Sequence, residues 1–222
     1  GIPVTLKELI ENRHSIRKFK DTPVPDEDVL EIIDAIRRGP SSENEQPWHF
    51  VIVRNQDFKD KLAALIKKRQ EELSAEVAVV NEKLSKRFEK FIRLFTLFSF
   101  EAPVLVMVFS TRIPNGATRE FKTVGRPVED LEDLQLMNPG MMSLGACLEN
   151  GVLTLNEMGY GTTIMTSQSW CHKDIEELVR EEIGYETRPG WFLACMFPIG
   201  VPEGEPKSPG RRPVEDIVTF FN

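Results

Sequence analysis

The sequence predicts one domain in which helices and strands alternate, and three features carry that expectation. Apolar residues recur at helical spacing in some segments and run continuously in others. Neither an internal repeat nor a shift of composition marks a linker. A chain of 222 residues can fill one core without staples, since scaling gives roughly 10,000 Å² exposed when folded against roughly 37,000 Å² unfolded.

The elements follow in order. Thr5 with Glu8 forms a capping box, and Leu6, Leu9 and Ile10 share one face of a short helix ending near Asn12. Pro25 opens a second helix, with Asp26, Glu27 and Asp28 at its positive end, Arg37 and Arg38 in its last turn, and Gly39-Pro40 as the stop. Its apolar positions are Val29, Ile32, Ile33 and Ile36. Trp48 to Val53 reads as a strand. A long helical region spans about 57–100, with the KKRQEE run at Lys67 to Glu72 as a solvated face between two helices. Val104 to Phe109 fits a strand buried on both faces. A loop with Pro114, Asn115, Gly116, Gly125 and Pro127 follows. Met141 to Met158 gives a long apolar helix, Thr162 to Thr166 a short strand, Lys173 to Ile183 a helix stopped by Gly184, and Trp191 to Ile199 a last core strand.

Composition narrows the function classes. The 28 Lys+Arg against 35 Asp+Glu leave a formal charge of −7, which supplies no broad basic face for nucleic acid. Cys147, Cys171 and Cys195 are widely and irregularly spaced, neither a disulfide framework nor a metal site, and point to a reducing cytoplasm. The N-terminus lacks the order of a signal peptide, and Gly1 reads as a cleaved-tag remnant. The stretch from Phe91 to Phe109 is interrupted by Arg93, Glu101 and Pro103, which argues against a membrane span. His14, His49 and His172 have no partner at ligand spacing, so no metal is expected, and no hydrolase or Walker motif occurs. His49 reads as an ordinary sheet residue and Cys171-His172 as a helix-entry loop.

Two runs are less ordinary. In an extended Arg13-His14-Ser15-Ile16-Arg17 segment, positions 13, 15 and 17 point to one side, making either an anion site suited to a terminal phosphate or a solvated basic turn beside Glu11 and Asp21. Pro40 to Trp48 is a capped loop on one reading. On the other, the Asn44 and Gln46 amides match the mixed donor and acceptor edge of a flavin ring.

These two runs, with Gly145-Ala146-Cys147-Leu148-Glu149-Asn150 leading to Glu157-Met158-Gly159-Tyr160-Gly161-Thr162 and a closing Arg211-Arg212-Pro213-Val214-Glu215-Asp216-Ile217, resemble the FMN-dependent nitroreductase family. The motifs occur in family order over nearly the whole chain, and the match is poorest over 70–100 and 111–137. The resemblance implies an α+β fold with a mixed, mostly antiparallel central sheet flanked by helices, and a homodimer with FMN at its interface. It further implies that Arg13, Ser15 and Arg17 hold the phosphate and the N1/O2 side of the ring, with His14 acting through its backbone. Ser41, Ser42, Asn44 and Gln46 would approach from the other subunit. Ile164, Met165, Thr166 and Ser167 would pass near N5, and Arg211 or Arg212 would reach the phosphate. Glu43 and Glu45 stand beside Asn44 where small neutral residues are common.

The leading expectation is an enzyme that passes reducing equivalents from NAD(P)H through FMN to a nitroaromatic, quinone or related conjugated acceptor by a ping-pong mechanism. No residue need act as a dedicated catalytic base, since the flavin carries the chemistry. A specialised enzyme of the same fold would instead perform reductive dehalogenation, flavin destruction or dehydrogenation. From another class, the long helical region would suit a non-catalytic interaction protein. The Met141 to Met158 helix is apolar or small around most of its circumference, so it needs cover on several sides, from a second subunit or from the middle of a monomer.

Overall fold

The computed structural model describes residues 4–222, so the reading of Gly1 lies outside the described residues. Helix α1 (Leu6–Asn12) is capped by Thr5, whose hydroxyl accepts from the Glu8 N–H at 3.2 Å. Helix α2 (Asp26–Arg37) begins after Pro25 and buries Val29, Ile32 and Ile36. Strand β1 covers His49–Val53.

The long helical region divides into α3 (Gln56–Val80) and α4 (Glu82–Phe95). The break falls at Asn81, whose extended backbone (φ −155°) ends one helix while its side chain accepts from the Leu84 N–H at 3.0 Å and starts the next. The Lys67–Glu72 run therefore lies inside α3 and not between helices. Only part of it is solvated, because Gln70 is buried and Arg69 pairs with Asp174 of a later helix at 3.0 Å.

Strand β2 (Val104–Thr111) follows. The region read as a loop folds into two short helices, α5 (Thr118–Thr123) and α6 (Val128–Leu136). Pro127 precedes α6, and Glu129 and Asp130 fill its first turn, the same start signal as in α2. Helix α7 (Pro139–Glu157) starts two residues before the expected point, because the Asn138 side chain caps the Met141 N–H at 3.2 Å. Helix α8 (His172–Ile183) ends at Gly184 in the left-handed region (φ 79°), and β3 covers Trp191–Ile199.

The three strands form one antiparallel sheet in the order β1-β2-β3. Every side chain from Val104 to Phe109 is fully buried, as a strand covered on both faces requires. Val104, Val106 and Val108 pack with Ile32 and Ile36 of α2 and Leu144 and Leu148 of α7. Leu105, Met107 and Phe109 pack with Leu62 and Ile66 of α3 and Ile175 and Val179 of α8. Each of these side chains contributes about 1.5–3 kcal/mol relative to exposure. The fold is α+β, with helices on both sides of the sheet. A register shift opposite Val108 and Phe109 sends Leu193 and Cys195 to opposite sides, although an unbroken strand would keep them together.

Residues 162–166 do not form the expected strand. Isolated bridges join Gly161 to Gly200 and Met165 to Met196, while Thr162 turns to Ser15 in a parallel bridge. Pro198 has no N–H to donate to a ladder, and its carbonyl instead accepts the Thr162 hydroxyl at 2.5 Å. The N-terminal segment fills the gap: the Ile16 N–H donates to the Thr162 carbonyl at 3.0 Å, and the Lys20 N–H to the Val201 carbonyl at 2.9 Å. This approach is possible because residue 161 is glycine; a Cβ there would lie 2.6 Å from the Ile16 side chain.

Two outcomes follow from this packing. Gly161→Val forces Ile16 away from Thr162, an overpacking cost of about 1–3 kcal/mol that lowers the melting temperature by several degrees; an unchanged melt would contradict the close approach. Burial also pushes the Cys171 thiol up to about 11 and the Cys195 thiol up to about 12 from an ordinary 9.0. Above pH 9 the unfolded chain releases these protons while the folded chain keeps them, so stability falls as pH rises, by about 1 kcal/mol per thiol at pH 10. Melts between pH 8 and pH 10 read this loss, and Cys195→Val reduces the slope.

Candidate functional site

Arg13 leaves α1 in an extended conformation (φ −70°, ψ 123°), and the chain stays extended beyond it. Ile16 is buried while Ser15 and Arg17 are exposed, the alternation expected of such a segment. The Thr163 hydroxyl donates to the Ile16 carbonyl at 2.9 Å, which locks positions 13–17 beside 162–163. The two guanidiniums diverge within one chain. Arg13 Nε lies 4.0 Å from Glu149 Oε1 on α7, whereas the Arg17 guanidinium lies 4.8 Å over the Phe95 ring at the end of α4. The pairing with Glu149 is long and partly solvated, worth well under about 1 kcal/mol, so it leaves Arg13 available to an anion. The His14 side chain has its own contact: its Nδ1 is 2.6 Å from the Ser208 hydroxyl, which ties the C-terminal tail to this segment.

The 164–167 segment lies next to it, and its members differ. Met165 is buried, and its N–H and carbonyl are both taken by Met196 at 2.8 and 3.1 Å, so its side chain faces the core and not the site. Ile164 and Thr166 are exposed on either side. The Ser167 hydroxyl bonds to that of Thr96 and to the Phe95 carbonyl, joining this segment to the end of α4. Gln168 donates from Nε2 to the Met165 carbonyl at 3.0 Å, while its buried Oε1 has no hydrogen-bond partner. That oxygen is enclosed with its residue, which is 1% exposed, so it lies in the interior and not on a ligand-accessible surface.

The Ser41–Gln46 loop lies on a different side. Glu43, Asn44 and Gln46 all have positive φ, at 53°, 54° and 52°. Such left-handed geometry costs about 1–2 kcal/mol for residues other than glycine and clusters where a loop must present particular groups. The loop is held by several bonds: the Ser42 N–H donates to the Ser143 hydroxyl of α7 at 3.1 Å, the Gln46 N–H to the Ser41 hydroxyl at 3.1 Å, and the Ser110 hydroxyl to the Pro47 carbonyl at 2.5 Å. The Gln46 side chain donates one amide N–H to the Asn44 carbonyl at 3.3 Å and, among the described residues, keeps its Oε1 free at the exposed end of the loop. Asn44 is exposed, and Glu43 and Glu45 face an open cleft of about 940 Å³ that also includes Arg112, Arg119 and Lys122.

The predicted residues therefore form two groups. Arg13, His14, Ser15 and Arg17 meet Ile164–Ser167 and, through Ser208, the start of the tail; Arg211 and Arg212 follow three and four residues later, both exposed, with Arg211 donating to the Pro209 carbonyl at 2.9 Å. Ser41, Ser42, Asn44 and Gln46 stand apart. Helix α7 touches both groups, through Glu149 and Ser143. Six residues of helix separate those contacts by about 9 Å along the axis and about 120° around it, so they occupy different sides. Sequence reasoning missed Phe95, Thr96, Ser143, Glu149 and Ser208. Phe95 had one usable signal, since Leu84, Phe88, Phe91 and Phe95 repeat at helical spacing; the other four show no pattern in sequence.

Comparison with known proteins gives the chain's relatives and its family. A putative NADH dehydrogenase/NAD(P)H nitroreductase of Methanothermobacter thermautotrophicus is 47% identical over 55 residues, 25% of this chain and 29% of that one. The stretches matched in this and two further nitroreductase relatives span 29%, 47% and 28% of those proteins' lengths. A crystal structure of a BluB-like flavoprotein from Clostridium difficile 630 is 41% identical, covers 99% of this chain and 100% of that one, and superposes with a TM-score of 0.96. A crystal structure of oxidised iodotyrosine deiodinase bound to FMN and 3-iodo-L-tyrosine shares the fold, at 23% identity, 97% and 100% coverage and a TM-score of 0.68. The sequence profile of the Nitroreductase family matches residues 10–201, and the chain belongs to that family.

Proposed function

We propose that the chain is an FMN-dependent oxidoreductase that carries reducing equivalents from NAD(P)H to a nitroaromatic, quinone or related conjugated acceptor. The observation that carries this reading is the Ser15–Thr162 bridge with the His14–Ser208 bond, because together they gather the Arg13–Arg17 run, the 164–167 segment and the tail at one place. The residues there fit FMN: hydroxyl and guanidinium donors for a phosphate, and the exposed Ile164 edge for a flat ring. The flavin, when bound, supplies hydride and electron transfer. The chain's own residues bind, orient and set the local field.

Arg13 and Ser15, with Arg211 or Arg212, would hold the phosphate. Arg17 would lay positive charge along the N1/O2 edge, favouring the electron-rich form of a bound ring. The Phe95 ring under Arg17 and the Ser167 bond to Phe95 support that orientation. A shared slot for donor and acceptor is favoured because the sequence has no glycine-rich dinucleotide fingerprint for a separate nicotinamide site. Three free, buried cysteines fit a reducing cytoplasm.

The same reading includes a homodimer, with the Ser41–Gln46 loop of a second copy completing each site. The chain exposes 14177 Å², where a compact chain of this size exposes roughly 10,000 Å². The tail contributes to that surplus and leaves the apolar Val214, Ile217, Phe220 and Phe221 exposed. On α7, Met142 is 72% exposed beside the exposed Gly145 and Ala146, a surface that suits a second copy. A second reading keeps the fold and FMN but replaces the reaction with a specialised one such as reductive dehalogenation; the 25% identity to an iodotyrosine deiodinase over 98% of this chain supports it.

Four measurements test the proposal. Arg13→Ala weakens FMN binding about tenfold to a hundredfold in titration of the apoprotein, and an unchanged dissociation constant would remove this run from the site. Light scattering at micromolar concentration gives twice the chain mass; a monomer that retains FMN would contradict the shared site. Steady-state kinetics with NAD(P)H and a quinone give parallel double-reciprocal lines, whereas intersecting lines would exclude the shared slot. Failure of both NADH and NADPH to bleach the bound flavin would favour the specialised reaction.

A further inference from the structure

We infer that the exposed aromatic edge of α4 is the recognition wall for the oxidising substrate, and that it selects a planar aromatic molecule carrying a negative charge. This rests on the flavin-site reading above. Leu84, Phe91 and Phe95 lie on one face of α4 and are 48%, 44% and 40% exposed. The helix buries its neighbouring face through Ser85 and Ile92, so this stripe is left over after the core is filled. Phe91 and Phe95 are adjacent, with ring centroids 5.4 Å apart. Trp170, 40% exposed, packs edge-on to Phe88 at 5.4 Å and donates to the Ser167 carbonyl at 3.0 Å, which extends the aromatic surface toward the 164–167 segment.

The location follows from two independent contacts. Arg17 covers the Phe95 ring, and Ser167 bonds to the Phe95 carbonyl, so both segments assigned to the flavin meet at this one residue. An aromatic wall there borders the place where a flat acceptor must lie.

The charge preference comes from the other border of the stripe. Although the whole chain is acidic, α4 carries Lys83, Lys86, Arg87, Lys90 and Arg93 against Glu82 and Glu89. The acids pair within the helix, Glu82 with Lys86 at 3.6 Å and Glu89 with Arg93 at 3.1 Å. Lys83, Arg87 and Lys90 are exposed with no carboxylate within 4.0 Å among the described residues. Aromatic faces beside unpaired cations suit an aromatic anion better than a neutral aromatic or an aliphatic one.

Isothermal titration of the purified protein with 4-nitrobenzoate and with nitrobenzene tests this directly. The anion should bind more tightly, and added salt should weaken the anion alone. Phe91→Ala should weaken both probes about three- to tenfold, with Phe91→Trp restoring them. The double variant Arg87→Gln with Lys90→Gln should weaken 4-nitrobenzoate alone. Equal affinity for the two probes, or no effect of Phe91→Ala, would overturn the assignment. So would a Phe91→Ala protein that loses its dimer but keeps both affinities, since the stripe would then be an interface between copies. Visible absorption reports flavin content separately: protein without flavin refutes the function proposed above, while the titration still decides whether the wall binds an aromatic anion.

Discussion

The close backbone approach at Gly161 is the constraint on which the site depends. Without a side chain at 161, the extended segment that leaves α1 can lie against Thr162 and pair with it. That pairing carries Ser15 and Arg17 to the margin of the sheet, beside Ile164 and Ser167. A second approach of the same kind occurs at Gly200, where a Cβ would meet the Phe19 ring at 2.8 Å. The segment is therefore clamped at two points, and the cationic run is held by backbone hydrogen bonds that do not depend on the run's own side chains. The arginines remain free to bind because they are not needed to hold the segment in place.

The sheet supplies the rigid frame beneath that clamp. Because β2 is buried on both faces, the layer formed by α2 and α7 and the layer formed by α3 and α8 cannot shift independently. Each layer delivers one part of the site. Helix α7 presents Glu149 to Arg13 and, from another side, Ser143 to the Ser41–Gln46 loop. The second layer brings the end of α4, with Phe95 and Thr96, to Arg17 and Ser167. The strained loop at 43–46 is tolerated because hydrogen bonds from Ser41, Ser143 and Ser110 over-determine it.

Helix α4 is where this chain most needs an explanation beyond its fold. A helix with a core face, a second apolar face and an unpaired basic border is more polarised than packing alone requires. It lies within the stretch that least resembles the family motifs, between the segments proposed to hold the flavin and the solvent. Variation there changes what the site accepts without disturbing the frame, since the residues α4 buries, Ser85 and Ile92, lie on the face beside the stripe and not in it.

By itself the sequence determined α1, α2, α8, β1, β3 and the doubly buried β2, because each is written in local periodicity or capping residues. It misplaced what depends on partners distant in the chain. The 162–166 segment has strand-like residues, yet a proline at 198 and a competing pairing with residue 16 decide its form. Met165 sits between two exposed residues, and only the pairing with Met196 turns it into the core. Ser143, Glu149, Ser208 and Phe95 entered the site through contacts spanning 101, 136, 194 and 78 residues. No local pattern encodes such contacts, because their geometry exists only after two layers have closed on one strand; tertiary structure alone decided which of the predicted residues meet, and on which side of α7 each group stands.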